Sequence, residues 1–130
     1  MVLLDTHVWW WSLTEPELLS ENAIEFIKKA KPNQRAIASI SIWEFAMMVS
    51  KNRIQLEISV SKWLSRAIND TGLQVIDISP EVAIQSYRLP GNFHKDPADR
   101  IIIATARVNN FSLITKDQKI RDYPHVKTVW

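Results

Sequence analysis

Met1-Val2-Leu3-Leu4-Asp5-Thr6 is an apolar run that stops on a carboxylate. Consecutive apolar residues bounded by polar ones read as a short buried strand. Ser112-Leu113-Ile114-Thr115 has the same character and meets Asp117 two residues later. Open α/β sheets bind ligands just outside the carboxyl ends of their strands. Two strands that deliver aspartates to that edge point to an α/β fold with a carboxylate cluster. Such a cluster is costly unless a cation holds it together, so the pattern suggests a metal-dependent enzyme.

The intervening segments alternate helix and strand. Ser20 is placed to cap a helix over about Glu21 to Ala30, with Ala23, Ile24 and Ile27 as its apolar stripe. Ala36-Ile37-Ala38 reads as a strand. Ser41-Ile42-Trp43-Glu44 has capping-box spacing and predicts a helix to about Val49. A further helix is expected over roughly Val60 to Ile68, and a strand over Gln74 to Ile78 after the Thr71-Gly72 break. Ser79-Pro80 and Asp96-Pro97 are helix starts, leading to about Tyr87 and Val108. A turn follows Thr115, and Val126 to Trp130 reads as an edge strand. With no repeat and no linker, one domain over residues 1–130 is expected, built on a mainly parallel sheet.

The chain of 130 residues is 46% hydrophobic and 23% charged, which excludes a disordered polymer. Absence of cysteine excludes disulfides and thiolate metal sites. No stretch approaches the roughly 18 apolar residues of a membrane span, and the first strand lacks the pattern of a signal peptide. A cytoplasmic protein without a membrane partner is the expectation. A net charge of +2 permits a nucleic-acid partner without requiring one. Lys28, Lys29, Lys31 and Arg35 cluster, as do Lys51 and Arg53, and His94, Lys95 and Arg100 surround Asp96 and Asp99. Each cluster also suits a solvated face.

The acidic residues have bland and functional readings. Asp5 could cap the next segment, but a carboxylate ending a buried strand is more simply a ligand. Glu44 could complete the capping box with Ser41 or point inward beside Met47 and Met48. Asp96 is the natural N-cap of its helix. Asp99 shares a stripe with Ile102, Ile103 and Ala106, which directs it toward the sheet rather than solvent. Asp117 suits a turn or a site. Thr6 and Thr115 could donate hydroxyl hydrogen bonds to these carboxylates or simply end strands. Hard oxygen donors of this kind suit Mg²⁺ or Mn²⁺.

Trp9, Trp10 and Trp11 cannot all face one core on a regular element, so at least one belongs at an interface or beside a substrate groove. Trp43 and Trp63 read as core or interface. His7 and His125 lack ligand spacing.

Four segments together resemble the PIN-domain family, in particular the VapC-type toxins of bacterial type II toxin–antitoxin pairs. They are Leu3-Leu4-Asp5-Thr6-His7, Ser41-Ile42-Trp43-Glu44, His94-Lys95-Asp96-Pro97-Ala98-Asp99-Arg100-Ile101 and Leu113-Ile114-Thr115-Lys116-Asp117. They stand in order over essentially the whole chain. The resemblance implies a three-layer α/β/α domain and a Mg²⁺- or Mn²⁺-dependent endoribonuclease. It carries over Asp5, Glu44, Asp99 and Asp117 as the catalytic quartet, Asp96 as an additional acidic position and Thr115 as the hydroxyl near the last aspartate. His7 stands where many PIN domains have Asn. With all four acidic positions filled, the resemblance implies a competent site.

In that picture Asp5, Asp99 and Asp117 hold the ion, Glu44 ligates through water or orients the attacking water, and cleavage by a metal-activated water leaves a 3′-hydroxyl and a 5′-phosphate. Lys95, Arg100 or His94 contacts the substrate backbone, or Arg100 pairs with a carboxylate. The implied partners are RNA, a small cognate antitoxin and a second copy in a homodimer. The rival readings are a non-catalytic RNA- or antitoxin-binding module, a haloacid-dehalogenase-type phosphatase and a response-regulator receiver. The phosphatase wants an aspartate where His7 stands, and the receiver wants an adjacent acidic pair.

Overall fold

Val2, Leu3 and Leu4 are all buried, and their alternation divides the core in two. Side chains of successive strand residues point to opposite faces. Val2 and Leu4 pack in one apolar cluster with Trp9, Ala23, Ile37, Phe45 and Ile114, while Leu3 packs in the other with Ala36, Ala38, Val82, Ile102, Ile103 and Leu113. A sheet apolar on both faces has to be covered on both, and that forces a three-layer α/β/α arrangement.

The computed structural model describes all residues, Met1–Trp130. The elements in order are β1 (Val2–Leu4), α1 (Thr6–Thr14), α2 (Glu21–Lys29), β2 (Arg35–Ala38), α3 (Ser39–Ser50), α4 (Val60–Ser65), β3 (Gln74–Ile76), α5 (Pro80–Tyr87), α6 (Pro97–Asn109), β4 (Ser112–Ile114), α7 (Gln118–Arg121) and β5 (Thr128–Val129). A π-helical turn, Arg66–Asp70, extends α4. The strand order is β3-β2-β1-β4-β5, and every neighbouring pair is parallel. Helices α1 to α4 supply one face and α5 to α7 the other. The chain winds outward from β1 to β2 and β3, then returns to place β4 on the other side of β1. The strand order therefore reverses between β1 and β4, which is where open sheets of this kind form their crevice.

The predicted helix starts at Ser20, Ser79 and Asp96 are N-caps, each accepting a hydrogen bond from the backbone three residues on. Three expectations are corrected. Helix α3 begins at Ser39 with no side-chain cap, so Ser41 and Glu44 form no capping box. Ser41 is fully buried inside the helix instead. The strand over Gln74 to Ile78 ends at Ile76. The turn after Thr115 contains the short helix α7, capped by Asp117.

Helix α1 has no single polar face for periodicity to reveal: Thr6 is buried while Leu13 is exposed, so polarity and burial do not coincide along it. Successive helical residues point about 100° apart, and the three tryptophans diverge accordingly. Trp9 is fully buried, and Trp9 and Trp10 pack against Phe45 and Trp63. Trp11 turns to the other side, near His7 and Trp130. Phe45 and Trp63 stack with centroids 4.3 Å apart, whereas Trp43 is 61% exposed and lies outside the core.

This aromatic nucleus joins α1, α3 and α4 over the sheet. Phe45→Ala is expected to lower stability by about 3–5 kcal/mol, and Phe45→Leu by less, read from the urea midpoint at constant slope. An alanine variant within about 0.5 kcal/mol of the parent would show that this cluster is not a structural nucleus.

Candidate active site

Asp5, Thr6, His7, Trp11, Glu44, Asp99, Lys116 and Asp117 line one cavity of about 350 Å³. It lies at the carboxyl ends of β1 and β4, at the reversal of strand order. All four acidic residues of the expected quartet are among its lining.

The sheet register places Asp5. Leu4 of β1 pairs with Ile114 of β4, and the Asp5 N–H donates to the Ile114 carbonyl. Asp5 and Thr115 therefore leave the sheet side by side. Thr115 Oγ1 donates to Asp5 Oδ2 at 2.6 Å, and the Thr6 N–H donates to Asp5 Oδ1 at 2.8 Å. Asp5 is thus both the cap of α1 and a site residue. Thr115 also accepts a hydrogen bond from the Asp117 N–H at 3.1 Å, tying the two aspartates through one hydroxyl.

Glu44 reaches the cavity from α3. Its Oε1 lies 2.6 Å from Thr6 Oγ1, which in turn lies 2.9 Å from Ser41 Oγ. A hydroxyl has one proton to donate. With the carboxylate as acceptor, Thr6 donates to Glu44 and Ser41 donates to Thr6. Buried hydroxyls thus run from Ser41 through Thr6 to Glu44.

Asp99 enters from the first turn of α6, on the stripe whose Ile102, Ile103 and Ala106 are buried against the sheet. Asp96 caps the same helix by accepting from the Asp99 N–H at 3.1 Å and is absent from the cavity lining. Asp117 caps α7 through Oδ1, which accepts from the Lys119 N–H.

Electrostatics follow from this crowding. Burial pushes the Asp5 carboxyl above its ordinary range, and the Thr115 and Thr6 hydrogen bonds only partly oppose it. Burial likewise raises Glu44, with Asp5 and Asp96 adding repulsion and Thr6 opposing. Asp99 is pushed up to about 7, by burial first and then by repulsion from Asp96, Asp5, Asp117 and Glu44.

The cations expected at the substrate are arranged differently from the sequence reading. Arg100 is turned to the protein: its guanidinium donates to the carbonyls of Ser86, Phe93 and His94 and fixes the segment between α5 and α6. It neither lines the cavity nor pairs with a carboxylate. His94 Nδ1 accepts from the Asp96 N–H, and its Nε2 lies 3.1 Å from Asp99 Oδ2. That contact is close but poorly aligned, and the buried Nε2 has no acceptor in hydrogen-bonding geometry. Lys95 is exposed and unpaired. Lys116, His7 and Trp11, which sequence reasoning did not assign to the site, line the cavity. His7 and Trp11 stand four apart on α1, a signal that becomes legible once Thr6–Thr14 is read as a helix.

Carboxylate and hydroxyl oxygens facing a polar cavity suit a hard divalent cation. As the side chains stand, no three of the His, Cys, Asp or Glu groups converge closely enough to enclose an ion. Closing on one would draw the carboxylates together.

The model of the PIN domain family matches residues 2–126. The chain belongs to the PIN-domain family. It is 40% identical to ribonuclease VapC22 of Mycobacterium tuberculosis over 99% of this chain and 98% of that protein, which places it in the VapC branch. Among solved structures, a toxin–antitoxin complex from Klebsiella pneumoniae matches with a TM-score of 0.70 at 23% identity, covering 97% of this chain and 95% of that one. VapBC2 of Rickettsia felis, bound to a promoter DNA fragment, matches with a TM-score of 0.71 at 20% identity, covering 98% and 97% of the two chains. These two likenesses concern the fold. No helix of this PIN domain is long and apolar enough to cross a membrane.

The raised Asp99 makes a pH prediction for the metal-free protein. Between its ordinary 3.8 and about 7, the folded state holds a proton that the unfolded chain has released. Stability therefore falls as pH rises through that window. In EDTA, the melting temperature is expected to drop between about pH 4 and about pH 7. Asp99→Asn should remove about 1–2 kcal/mol of that drop after allowance for solvent screening. A variant that keeps the parent's full slope would count against an uncompensated Asp99.

Proposed function

We propose that this PIN domain is a metal-dependent endoribonuclease, the toxin of a toxin–antitoxin pair. The observation that carries the reading is the convergence of Asp5, Glu44, Asp99 and Asp117, from four separate chain segments, on one cavity. Buried like charges raise one another's pKa and destabilise the fold, so their concentration is explained by something positive that they bind. The likeness to a VapC ribonuclease supports the same conclusion.

Asp5, Asp99 and Asp117 would hold Mg²⁺ or Mn²⁺. When bound, such an ion polarises a phosphoryl oxygen and lowers the pKa of a water. The remaining work falls to the chain. Thr115 and Thr6 lock the Asp5 carboxylate in one orientation. Glu44 is suited to take the proton of the attacking water: it is held by Thr6, its Oε2 accepts no hydrogen bond within the protein, and its raised pKa makes it a stronger base than an exposed glutamate. Hydrolysis would leave a 3′-hydroxyl and a 5′-phosphate. Asp96 acts as the cap that sets the start of α6 and hence the position of Asp99.

A small antitoxin would silence the site, and the structural likeness to a toxin–antitoxin complex supports that partner. Ile40, Trp43, Met47 and Ala98 line a groove that shares Glu44 with the catalytic cavity. A partner chain lying in this groove would bury the exposed Trp43 beside the carboxylates. A homodimer acting on RNA in the cytoplasm completes the reading.

Purified protein should cleave total cellular RNA into discrete products with Mg²⁺ or Mn²⁺. Cleavage should vanish in EDTA and with Asp5→Asn. No cleavage by a folded, antitoxin-free protein would sink the proposal in favour of a binding module. Thr115→Val is expected to reduce cleavage by about 10- to 100-fold, the usual cost of removing a group that orients a ligand, and Thr115→Ser to restore most of it. Equal rates for the valine and serine variants would remove the hydroxyl from the argument.

A further inference from the structure

The carboxylates occupy only part of the cavity wall. The rest is His7, Trp11 and Lys116, together with Thr6 and Val8. The geometry points to a nucleotide subsite here: we propose that Trp11 and His7 take one unpaired base of the substrate while Lys116 takes the adjoining phosphate. The inference rests on the ribonuclease reading and names the chemistry that lets a polyanion approach a carboxylate floor.

Charge is the first argument. Four carboxylates repel RNA, so the groove needs a cation that is not already engaged within the protein. The guanidinium of Arg100 is held by three backbone carbonyls, and His94 lies against Asp99. Lys116 is the Lys or Arg side chain that lines the cavity. It is exposed and makes no ion pair with any carboxylate, although Asp117 is its chain neighbour.

Shape and chemistry are the second. Of three consecutive tryptophans, two are packed on Phe45 and Trp63, and only Trp11 borders the cavity. Its indole is half-buried and tilted against Trp130 at 6.5 Å, which steadies it as a platform. His7 lies one helical turn before it, with ring centroids 5.6 Å apart. The Lys116 ammonium sits 5.7 Å from the centre of the Trp11 ring. A cation over an indole is attracted to the ring face, and the same face stacks a nucleobase. An arriving base would displace the ammonium from the ring toward the phosphate beside it.

Position is the third. His7 follows Asp5 by two residues, and Lys116 precedes Asp117 by one. Both are therefore carried by the same backbone that sets the carboxylates, so a base held here has its phosphate at the catalytic end of the cavity. Bases in a duplex have no free face, and such a subsite selects an unpaired nucleotide.

The test is binding of a short labelled single-stranded RNA in EDTA, followed by fluorescence anisotropy over a salt series. The proteins are the parent, Lys116→Gln, Trp11→Leu, Trp11→Phe and Lys51→Gln as a remote control. Circular dichroism checks the fold of each. Lys116→Gln should flatten the dependence of log K on log salt by about 0.7, the value of one lost phosphate contact on a single strand. Trp11→Leu fills the site without a π face and should weaken binding roughly tenfold with the slope unchanged, while Trp11→Phe keeps most of the affinity. The same strand in a duplex should bind more weakly than when single. Suppose the parent binds RNA and cleaves it with Mg²⁺, but the leucine and phenylalanine variants bind alike and Lys116→Gln keeps the parent's slope. The subsite is then wrong and the ribonuclease reading stands. A parent that neither binds nor cleaves RNA overturns both.

Discussion

The Asp5 carboxylate is buried at the end of the central strand, and the rest of the site depends on how the chain keeps it there. An unsupported buried carboxylate costs several kcal/mol or takes up a proton. Two partners offset part of that cost, Thr6 through its N–H and Thr115 through its hydroxyl. Thr6 is available because a helix starts immediately after β1. Thr115 is available because β4 lies parallel and in register on the flank that the strand order leaves free.

The offset is incomplete, and the incompleteness has a direction. Asp5, Glu44 and Asp99 all have raised pKa values, each chiefly through burial. Electrostatic strain of this kind persists only where the surrounding packing holds the groups in place. Here the packing is substantial: Leu3, Ile37, Ile102, Ile103, Leu113 and Ile114 are fully buried in the two cores that flank the sheet. The apolar core thus stabilises the arrangement that the carboxylates oppose, and a divalent cation would turn their mutual repulsion into shared attraction.

Most of the fold was legible because its local signals agree with its tertiary structure. Ser20, Ser79 and Asp96 read as caps and are caps. Alternating elements read as a parallel sheet, and the sheet is parallel throughout. Helix α1 was not legible, because periodicity needs polar residues on the solvent face, and here Thr6 is buried while Leu13 is exposed. Ser41 misled for the opposite reason. Its spacing to Glu44 matches a capping box, but tertiary contact with Thr6 draws it into the helix interior, and the N-cap of α3 is Ala38, three residues earlier. Arg100 shows the limit for charges. Sequence places it beside Asp96 and Asp99, but only the structure reveals the carbonyls of α5 and of the following loop that hold it. Lys116 and Trp11 escaped because nothing in the sequence says which of several cations and indoles borders the cavity.

The acidic residues also show that a structural and a functional reading need not compete. Asp5 and Asp117 each cap a helix and each border the cavity, while Asp96 caps α6 without bordering it. A capping aspartate accepts a backbone N–H with one oxygen, which fixes its rotamer. In Asp117 that leaves Oδ2 without a partner in the protein. The cap therefore removes conformational freedom that a ligand would otherwise have to restrain, and it does so before any ligand arrives. Asp99 has no such support of its own. It is the residue with a carboxyl raised to about 7, and its position is set at one remove, through the cap that Asp96 places on its backbone. Its carboxyl is repelled by Asp96, Asp5, Asp117 and Glu44 together, so a cation shared among them would favour its ionised form.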